Sequence, residues 1–333
     1  MGEAARVVVF GLGPIGRAIG AALVGKTSLR LVGAVDVAPA LRGRPLSEVV
    51  PGASSDARVA GSIDELLADA RPDVVLHATG SYLDRVYPQF EELLSAGCNV
   101  ITTCEEAGYP TDMEKAEQLG KIDALCRCHG VRLLATGINP GFAMDVWPLV
   151  ASAHLTRLDS IDVHRVVDAA SRREPLQRKV GSGMTVEEFR REVHAGRLGH
   201  VGLEASARML AKALGREVME LSGAIEPVTA EREVTSRYFR VPAGKVVGLR
   251  QDLTARLEGQ VSLRLYLEMY LGAPNPRDEL VLAGDHTTQV VVDGGFPGDS
   301  ATAAILVNSV APALSCSPGY LTMLDLPFFG CAP

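Results

Sequence analysis

The segment Gly11-Leu-Gly13-Pro-Ile-Gly16 restricts what this chain can fold into more than any other stretch. It follows the apolar run Arg6–Phe10 and opens a helical pattern, Pro14–Val24. A second apolar run, Leu29–Asp36, then ends on a carboxylate 20 residues beyond Gly16. Glycines alone carry little information, but this order of strand, glycine turn, helix, strand and acid is the dinucleotide-binding fingerprint of a Rossmann half. Gly11 permits the tight turn, Gly13 lets the backbone approach a pyrophosphate, and Gly16 lets helix and strand pack closely. Pro14 and Ile15 begin a helix whose first N–H groups and positive dipole end favour phosphate. Asp36 is placed to accept hydrogen bonds from an adenosine ribose, which favours NAD. Arg42 and Arg44 lie just beyond, where they meet either a 2′-phosphate or only solvent, so the cofactor is read as NADP or NAD.

Strand and helix signals keep alternating to about residue 138. Ser62 and Glu65 predict a capping box that opens a helix through Ala70. Strands are expected at Val74–Ala78, Asn99–Thr103 and Val131–Ala135, and a helix near Leu83–Ala96. Thr111 with Glu114 predicts the cap of a helix running toward His129. This rhythm predicts an α/β, doubly wound parallel sheet for residues 1–138. Gly20–Thr27 also fits the Walker A pattern, but it closes a helix and precedes a strand, the reverse of a phosphate loop.

The rhythm changes after Asn139-Pro140-Gly141. Ser160–Val167 reads as a strand, and Thr185 with Glu188 as a capping box followed by helices to about Leu214. From Val261 to Leu271 apolar and polar residues alternate with a period of two, the mark of a sheet with unlike faces. Thr287–Val292 reads as a further strand. Residues 139–300 are therefore expected to form an α+β substrate-binding and oligomerisation domain with a mixed or antiparallel sheet. A helix over Ala301–Leu314, within the segment 301–333, is expected to pack back on the first domain. The Pro/Gly/Ser-containing stretch Arg42–Ser55 reads as a mobile loop.

Composition excludes several functions. A net charge of −7 argues against a nucleic-acid or anionic-membrane partner, which needs a basic face. No apolar run reaches transmembrane length. No export-signal layout is read at the N-terminus. The six cysteines form no CxxC pair and no zinc spacing, so reduced thiols, a cytoplasmic location and no metal are expected.

In doubly wound sheets ligands bind beyond the carboxyl ends of the strands. Three segments end there: His77-Ala-Thr79-Gly80, Thr102-Thr103-Cys104-Glu105-Glu106 and Ala135-Thr-Gly-Ile-Asn139-Pro-Gly141. Thr79, Gly80, Thr103 and Asn139 suit close approach to the nicotinamide end of a dinucleotide, or serve as ordinary strand-end turns. A carboxylate after the second of these strands cannot protonate an alkoxide as an ammonium would. It suits a substrate that is cationic during reaction, and it can accept a proton from an amine or from attacking water. Glu105, first after the strand, is the preferred catalytic carboxylate. Glu106 is the alternative, and both could simply favour a helix N-terminus.

Ile101-Thr-Thr-Cys-Glu-Glu106, Gly137-Ile-Asn-Pro-Gly-Phe142, Arg165-Val-Val-Asp168, Gly199-His-Val-Gly202 and Gly298-Asp-Ser-Ala-Thr-Ala-Ala304 together carry a resemblance. The chain is similar to the 2,4-diaminopentanoate dehydrogenases and their relatives, the native amine dehydrogenases, whose N-terminal domain is like that of dihydrodipicolinate reductase. It lacks the paired histidines and the Lys-x-Asp-Ala-Pro-Ser-Gly run of that reductase within Arg165–Thr185. The resemblance implies NAD(P)-dependent oxidative deamination of a small amine to a ketone or aldehyde, and the reverse reductive amination with ammonia. It implies a substrate pocket drawn from Glu106, Asn139, Arg165, His200 and Thr302. Each has an ordinary structural alternative: a turn for Asn139, an ion pair with Asp168 or another carboxylate for Arg165, a satisfied loop histidine for His200, helix packing for Thr302. It further implies a homodimer through the second domain's sheet. A diamino-acid substrate would need a cation for its carboxylate, with Arg165, Arg172, Arg173, Arg178 and Lys179 as candidates. A non-catalytic NAD(P)-binding redox sensor is the reading from another class.

Overall fold

The computed structural model describes residues 3–333, which divide into two compact units. One unit runs through Phe142 and is rejoined by Gly298–Pro333, and the other is Ala143–Pro297.

The first unit alternates β1 (Ala5–Phe10), α1 (Pro14–Leu23), β2 (Leu29–Val35), α2 (Leu46–Val49), β3 (Val59–Ala60), α3 (Ile63–Asp69), β4 (Val74–His77), α4 (Leu83–Ser95), β5 (Asn99–Thr102), α5 (Met113–His129) and β6 (Arg132–Ala135). Strand alternation sends Val8 and Phe10 of β1 into one apolar core with Leu66, Phe90 and Ile122 from α3, α4 and α5. Val7 and Val9 point to the other face and are fully buried too. A sheet covered on both faces needs such continuous apolar strands, as parallel sheets do.

Three local expectations need correction. The N-cap of α5 is Asp112, not Thr111, because its carboxylate accepts the Lys115 N–H at 2.8 Å. An ionised acceptor one residue nearer the helix makes the better cap. The box at α3 is half-formed: Ser62 accepts from Glu65 N–H, but the Glu65 carboxylate turns to the Gly61 N–H at 2.8 Å. The stretch expected to be a mobile loop contains α2, whose Leu46 and Val49 are buried, and Pro45 bridges to Arg58.

The second unit contains α6 (Val146–Ala151), β7 (Leu158–Asp168), α7 (Glu174–Lys179), α8 (Val186–His194), α9 (Leu203–Ala213), β8 (Val218–Thr229), a small ribbon of β9 (Val234–Thr235) and β10 (Arg240–Val241), then β11 (Val246–Leu257), β12 (Ser262–Tyr270), β13 (Arg277–Gly284) and β14 (Thr287–Asp293). Its large sheet has the order β14-β13-β7-β12-β11-β8. Only β7 and β12 pair in parallel, so the sheet is mixed, as expected. The predicted capping box at Thr185 is complete. Leu263, Leu265 and Leu267 of β12 are buried on the face that α9 covers. Arg264, Tyr266, Glu268 and Tyr270 occupy the other face, as the period of two requires.

The chain then re-enters the first unit as α10 (Gly298–Asn308), α11 (Val310–Ser315) and β15 (Gly319–Leu321). The single helix expected over Ala301–Leu314 is two, interrupted at Ser309. α10 packs on α1, and β15 extends the parallel sheet to the order β15-β6-β5-β4-β1-β2-β3. Among the described residues no helix is long and apolar enough to cross a membrane.

On the buried face of the second sheet, β7 carries Arg165 directly opposite Asp278 of β13. Its Nη1 donates to both carboxylate oxygens at 2.9 Å, and its Nη2 to the Phe296 carbonyl at 2.8 Å. Asp278 in turn accepts the Phe296 N–H at 2.7 Å. Burial pushes the Asp278 carboxyl up and the guanidinium pulls it back. The expected substrate role of Arg165 thus gives way to a buried pair that clamps the Phe296 backbone, and its partner is Asp278 rather than Asp168. Arg165→Met leaves Asp278 buried without its counter-ion and is expected to destabilise the chain by about 3–5 kcal/mol. Denaturant melts measure this; an unchanged midpoint with a raised KM would return Arg165 to the substrate.

Candidate active site

Gly11 has φ +90, and a Cβ there would fall 2.7 Å from the Ala78 carbonyl oxygen. A Cβ on Gly16 would fall 1.6 Å from the Gly11 carbonyl oxygen, so α1 can rest on the turn only with hydrogen in that place. Gly13 meets nothing within 4 Å. It is the N-cap of α1, makes no side-chain cap and is followed by Pro14. An open backbone face at an uncapped helix N-terminus fits the pyrophosphate of a dinucleotide. Asp36 accepts the Leu12 N–H at 2.6 Å with one oxygen and the Ala38 N–H at 2.8 Å with the other. Two backbone donors therefore fix the carboxylate against the crest of the glycine turn. Arg42 is engaged by Glu65 at 3.0 Å, and Arg44 by Glu48 at 3.1 Å.

A polar network lies beneath the neighbouring strand ends. His77 closes β4 and is fully buried, with edge contacts to Phe10 and Phe90. The Gln89 side-chain oxygen, an acceptor only, lies 2.7 Å from His77 Nε2, so that nitrogen carries the proton. Nδ1 is then the acceptor for the Thr102 hydroxyl at 2.8 Å. The Thr102 oxygen accepts the Cys104 N–H at 3.0 Å, and the Thr79 hydroxyl donates to the same Gln89 oxygen at 2.7 Å. Thr103 donates its N–H to the His77 carbonyl at 3.0 Å. Gly80 lies over Val86, where a Cβ would come within 3.1 Å. The network ties Thr79 and the turn after β5 to one neutral imidazole. Burial lowers the His77 pKa to about 4.

That turn is a single 3₁₀ stretch, Glu105–Ala107. Cys104 is buried, and burial pushes its thiol up to about 12, so it packs rather than attacks. Its Sγ donates to the Ser81 carbonyl, which also accepts the Glu106 N–H at 3.2 Å. The Glu106 carboxylate accepts the Leu83 N–H at 2.8 Å, serving as a cap for α4, and lies 3.7 Å from Lys115 Nζ. The structure thus gives Glu106 to the fold rather than to substrate. Beyond the turn, the Tyr320 hydroxyl of β15 donates to the Ala107 carbonyl at 2.9 Å. Half-buried Glu105 is the first residue of a turn held on both sides.

The third strand end forms a compact knot. A Cβ on Gly141, where φ is +129, would fall 2.5 Å from Thr136 Oγ1 and 2.6 Å from Gly137 N. Asn139 is buried within this knot. The Thr302 hydroxyl of α10 accepts the Ile138 N–H at 3.3 Å, so Thr302 braces the turn. Thr136 Oγ1 is buried with no hydrogen-bond partner. A hydroxyl left so costs about 1–3 kcal/mol, which a ligand or water would relieve. In the second unit, Gln251 grips the His200 backbone through both its N–H, at 2.8 Å, and its carbonyl, at 3.0 Å. The Gly202 N–H donates to His200 Nδ1 at 3.1 Å, leaving the proton on Nε2. Trp147 and Phe296 stack edge to face with centroids 5.5 Å apart, while Met144 is fully buried. Among the described residues no three His, Cys, Asp or Glu side chains could together hold a metal ion.

Thr136, Gln89, Thr102 and Tyr320 were not anticipated as site residues. Only the strand-end position of Thr136 could have drawn attention to it. Gln89 and Tyr320 act over distances that no local pattern encodes.

A Rossmann unit with a glycine cradle, a carboxylate fixed at its crest and an acidic strand-end turn, in a chain with a second mixed-sheet unit, defines the class of NAD(P)-dependent dehydrogenases. Residues 142–332 match the family of the 2,4-diaminopentanoate dehydrogenase C-terminal domain, and the chain belongs to that family. It is 28% identical to 2,4-diaminopentanoate dehydrogenase of Acetoanaerobium sticklandii over 98% of this chain and 94% of the relative. An amine dehydrogenase of Streptomyces virginiae is 23% identical over 96% and 95% of the two chains. The solved amine dehydrogenase of Mycobacterium smegmatis superposes with a TM-score of 0.89 at 22% identity, covering 98% of this chain and 97% of that one.

His77 yields a pH prediction. Its folded pKa of about 4 lies below the unfolded value of 6.5, so the unfolded chain binds the extra proton first. Stability is whole above pH 6.5 and is lost as pH falls toward 4, by up to about 3 kcal/mol from this residue. Unfolding free energies measured across that window should fall less steeply in His77→Gln than in the parent chain. Equal slopes would mean the imidazole is not the titrating group.

Proposed function

We propose that the chain is an amine dehydrogenase that interconverts a small amine with its ketone or aldehyde and ammonia, using Glu105 as the catalytic carboxylate. The observation that carries this is the division of labour in the acidic turn. Glu106 caps α4 and faces Lys115, and we assign the chemistry to Glu105, the half-buried first residue after the strand. Gly11, Gly13, Pro14, Ile15, Gly16 and Asp36 would hold NAD(P), with Thr79, Gly80, Thr103 and Asn139 toward its nicotinamide end. When bound, NAD(P)+ supplies the hydride acceptor.

In oxidative deamination Glu105 takes a proton from the substrate ammonium, freeing the amine lone pair that expels hydride from the adjacent carbon. The carbon–nitrogen bond becomes an iminium, whose positive charge the carboxylate stabilises. Glu105 passes the first proton to solvent, accepts a second from the water that adds to that carbon and hands it to the amino nitrogen, so that ammonium leaves as the carbonyl forms. His200, whose Nδ1 accepts the Gly202 N–H, would bind substrate. Thr302 acts by bracing the Asn139 turn. The diamino-acid reading draws on the Acetoanaerobium sticklandii relative. Arg165 is engaged by Asp278 and Arg178 by Glu174 at 2.7 Å, so a diamino-acid substrate would have to compete for its carboxylate's cation among Arg165, Arg172, Arg173, Arg178 and Lys179.

We also infer a homodimer through the polar face of the second sheet. Arg264 pairs with Asp252 at 2.8 Å and lies over Tyr266, while Arg250 pairs with Glu268 at 3.1 Å. Aromatic rings and arginines on a flat sheet suit an interface.

Reduction of NAD(P)+ is expected with simple alkyl amines, with 2,4-diaminopentanoate as the comparison substrate. Glu105→Gln should lower turnover at least about 100-fold while cofactor binding persists. Glu106→Gln keeps an acceptor for Leu83 N–H and should leave turnover within about threefold. Equal losses in both would remove the assignment, and cofactor binding without turnover on any amine would favour a redox sensor. Light scattering at micromolar concentration should give the mass of two chains; a monomer mass would end the dimer proposal.

A further inference from the structure

Resting on the NAD(P) reading above, we propose that Glu65 is a specificity-determining residue that holds down affinity for the 2′-phosphorylated dinucleotide by engaging Arg42. β2 and β3 are parallel neighbours, with Val35 opposite Ala60, and Asp36 N–H donates to the Ala60 carbonyl at 3.0 Å. Gly61 therefore lies beside Asp36, at the strand ends where an adenosine ribose would rest. Arg42 lies across Gly61. A Cβ there would stand 2.6 Å from its Nε and 2.9 Å from its Cζ, so the absent side chain is what seats the guanidinium. The same Glu65 oxygen accepts the Gly61 N–H at 2.8 Å and the Arg42 Nη2–H at 3.0 Å.

Three charges thus lie on neighbouring strand ends: the Asp36 carboxylate after β2, and the Arg42 guanidinium and Glu65 carboxylate at Gly61 after β3. A ribose 2′-hydroxyl needs only the first. A 2′-phosphate needs the second, and is repelled by the other two. The Arg42–Glu65 pair is exposed, at 64% and 42% of the side chains, so it is weak enough for a phosphate to compete for the guanidinium. Once displaced, Glu65 remains as an uncompensated negative charge beside the phosphate. Glu65 thereby imposes a penalty on NADP that NAD does not meet, and the chain favours NAD. Arg44 makes the analogous pair with Glu48, an i,i+4 contact within its own turn.

Calorimetric titration of the purified chain with NAD+ and with NADP+ tests this apart from turnover. Glu65→Gln keeps an oxygen for the Gly61 N–H and removes the charge. It should tighten NADP+ about 3- to 10-fold and change NAD+ less than about 2-fold, with the gain shrinking at high salt. Arg42→Ala, alone and combined with Glu65→Gln, should weaken NADP+ and remove most of that gain. An unchanged NADP+/NAD+ ratio in Glu65→Gln, or weaker NADP+ binding, would overturn the assignment. Absence of binding by either dinucleotide to the parent chain would remove the cofactor reading itself, a distinct outcome.

Discussion

The contact on which the rest of the first unit depends is the one between Gly16 and the Gly11 carbonyl. A side chain at residue 16 would stand 1.6 Å from that oxygen, and one at residue 11 would stand 2.7 Å from the Ala78 carbonyl. These two absent side chains bring α1, the end of β1 and the end of β4 together. The helix N-terminus then opens at the same edge as His77, Thr102 and the Glu105 turn. Loss of either glycine would displace backbone rather than a flexible side chain, so no nearby rotamer change can compensate.

Charge is distributed around that edge with economy. The buried network beneath it is neutral: His77 is held between two acceptor and donor contacts that together fix one tautomer, and burial keeps it uncharged through neutral pH. The buried charges of the second sheet, Arg165 and Asp278, are paired across adjacent strands and close both hydrogen-bonding groups of Phe296. Such a pair contributes less to net stability than to specifying one register, because a slip of one residue would put two charges on opposite faces.

Features encoded over a few residues were legible in the sequence. The glycine turn, the apolar strands, the box at Thr185 and the alternation of Val261–Leu271 each follow from spacing within one element, and with them the Rossmann and mixed-sheet architecture. What the sequence did not disclose depends on residues far apart in the chain. Arg165 finds Asp278 113 residues away, and Tyr320 reaches Ala107 across 213. Glu105 was preferred to Glu106 on position alone, and nothing local showed that the start of α4, 23 residues earlier, engages the Glu106 carboxylate. At Thr111 the local signal misled, and backbone direction at the helix start decided for Asp112. Composition could not rank a solvated Arg42 against a phosphate-binding one.

The acidic turn also explains why a carboxylate is tolerable at this strand end. Three groups that would otherwise move hold it. Ser81 accepts from both Cys104 and Glu106, Thr102 accepts from Cys104, and Tyr320 donates to Ala107. A turn fixed in this way holds the point from which the residue 105 side chain leaves the strand end. Preorganised charge costs no reorganisation at the moment a cation develops, which is where electrostatic catalysis gains most. A lysine on the same turn would be equally fixed but would raise, not lower, the energy of an iminium. On the proposed assignment, the sign of the charge at residue 105 suits the site to carbon–nitrogen oxidation rather than to alcohols.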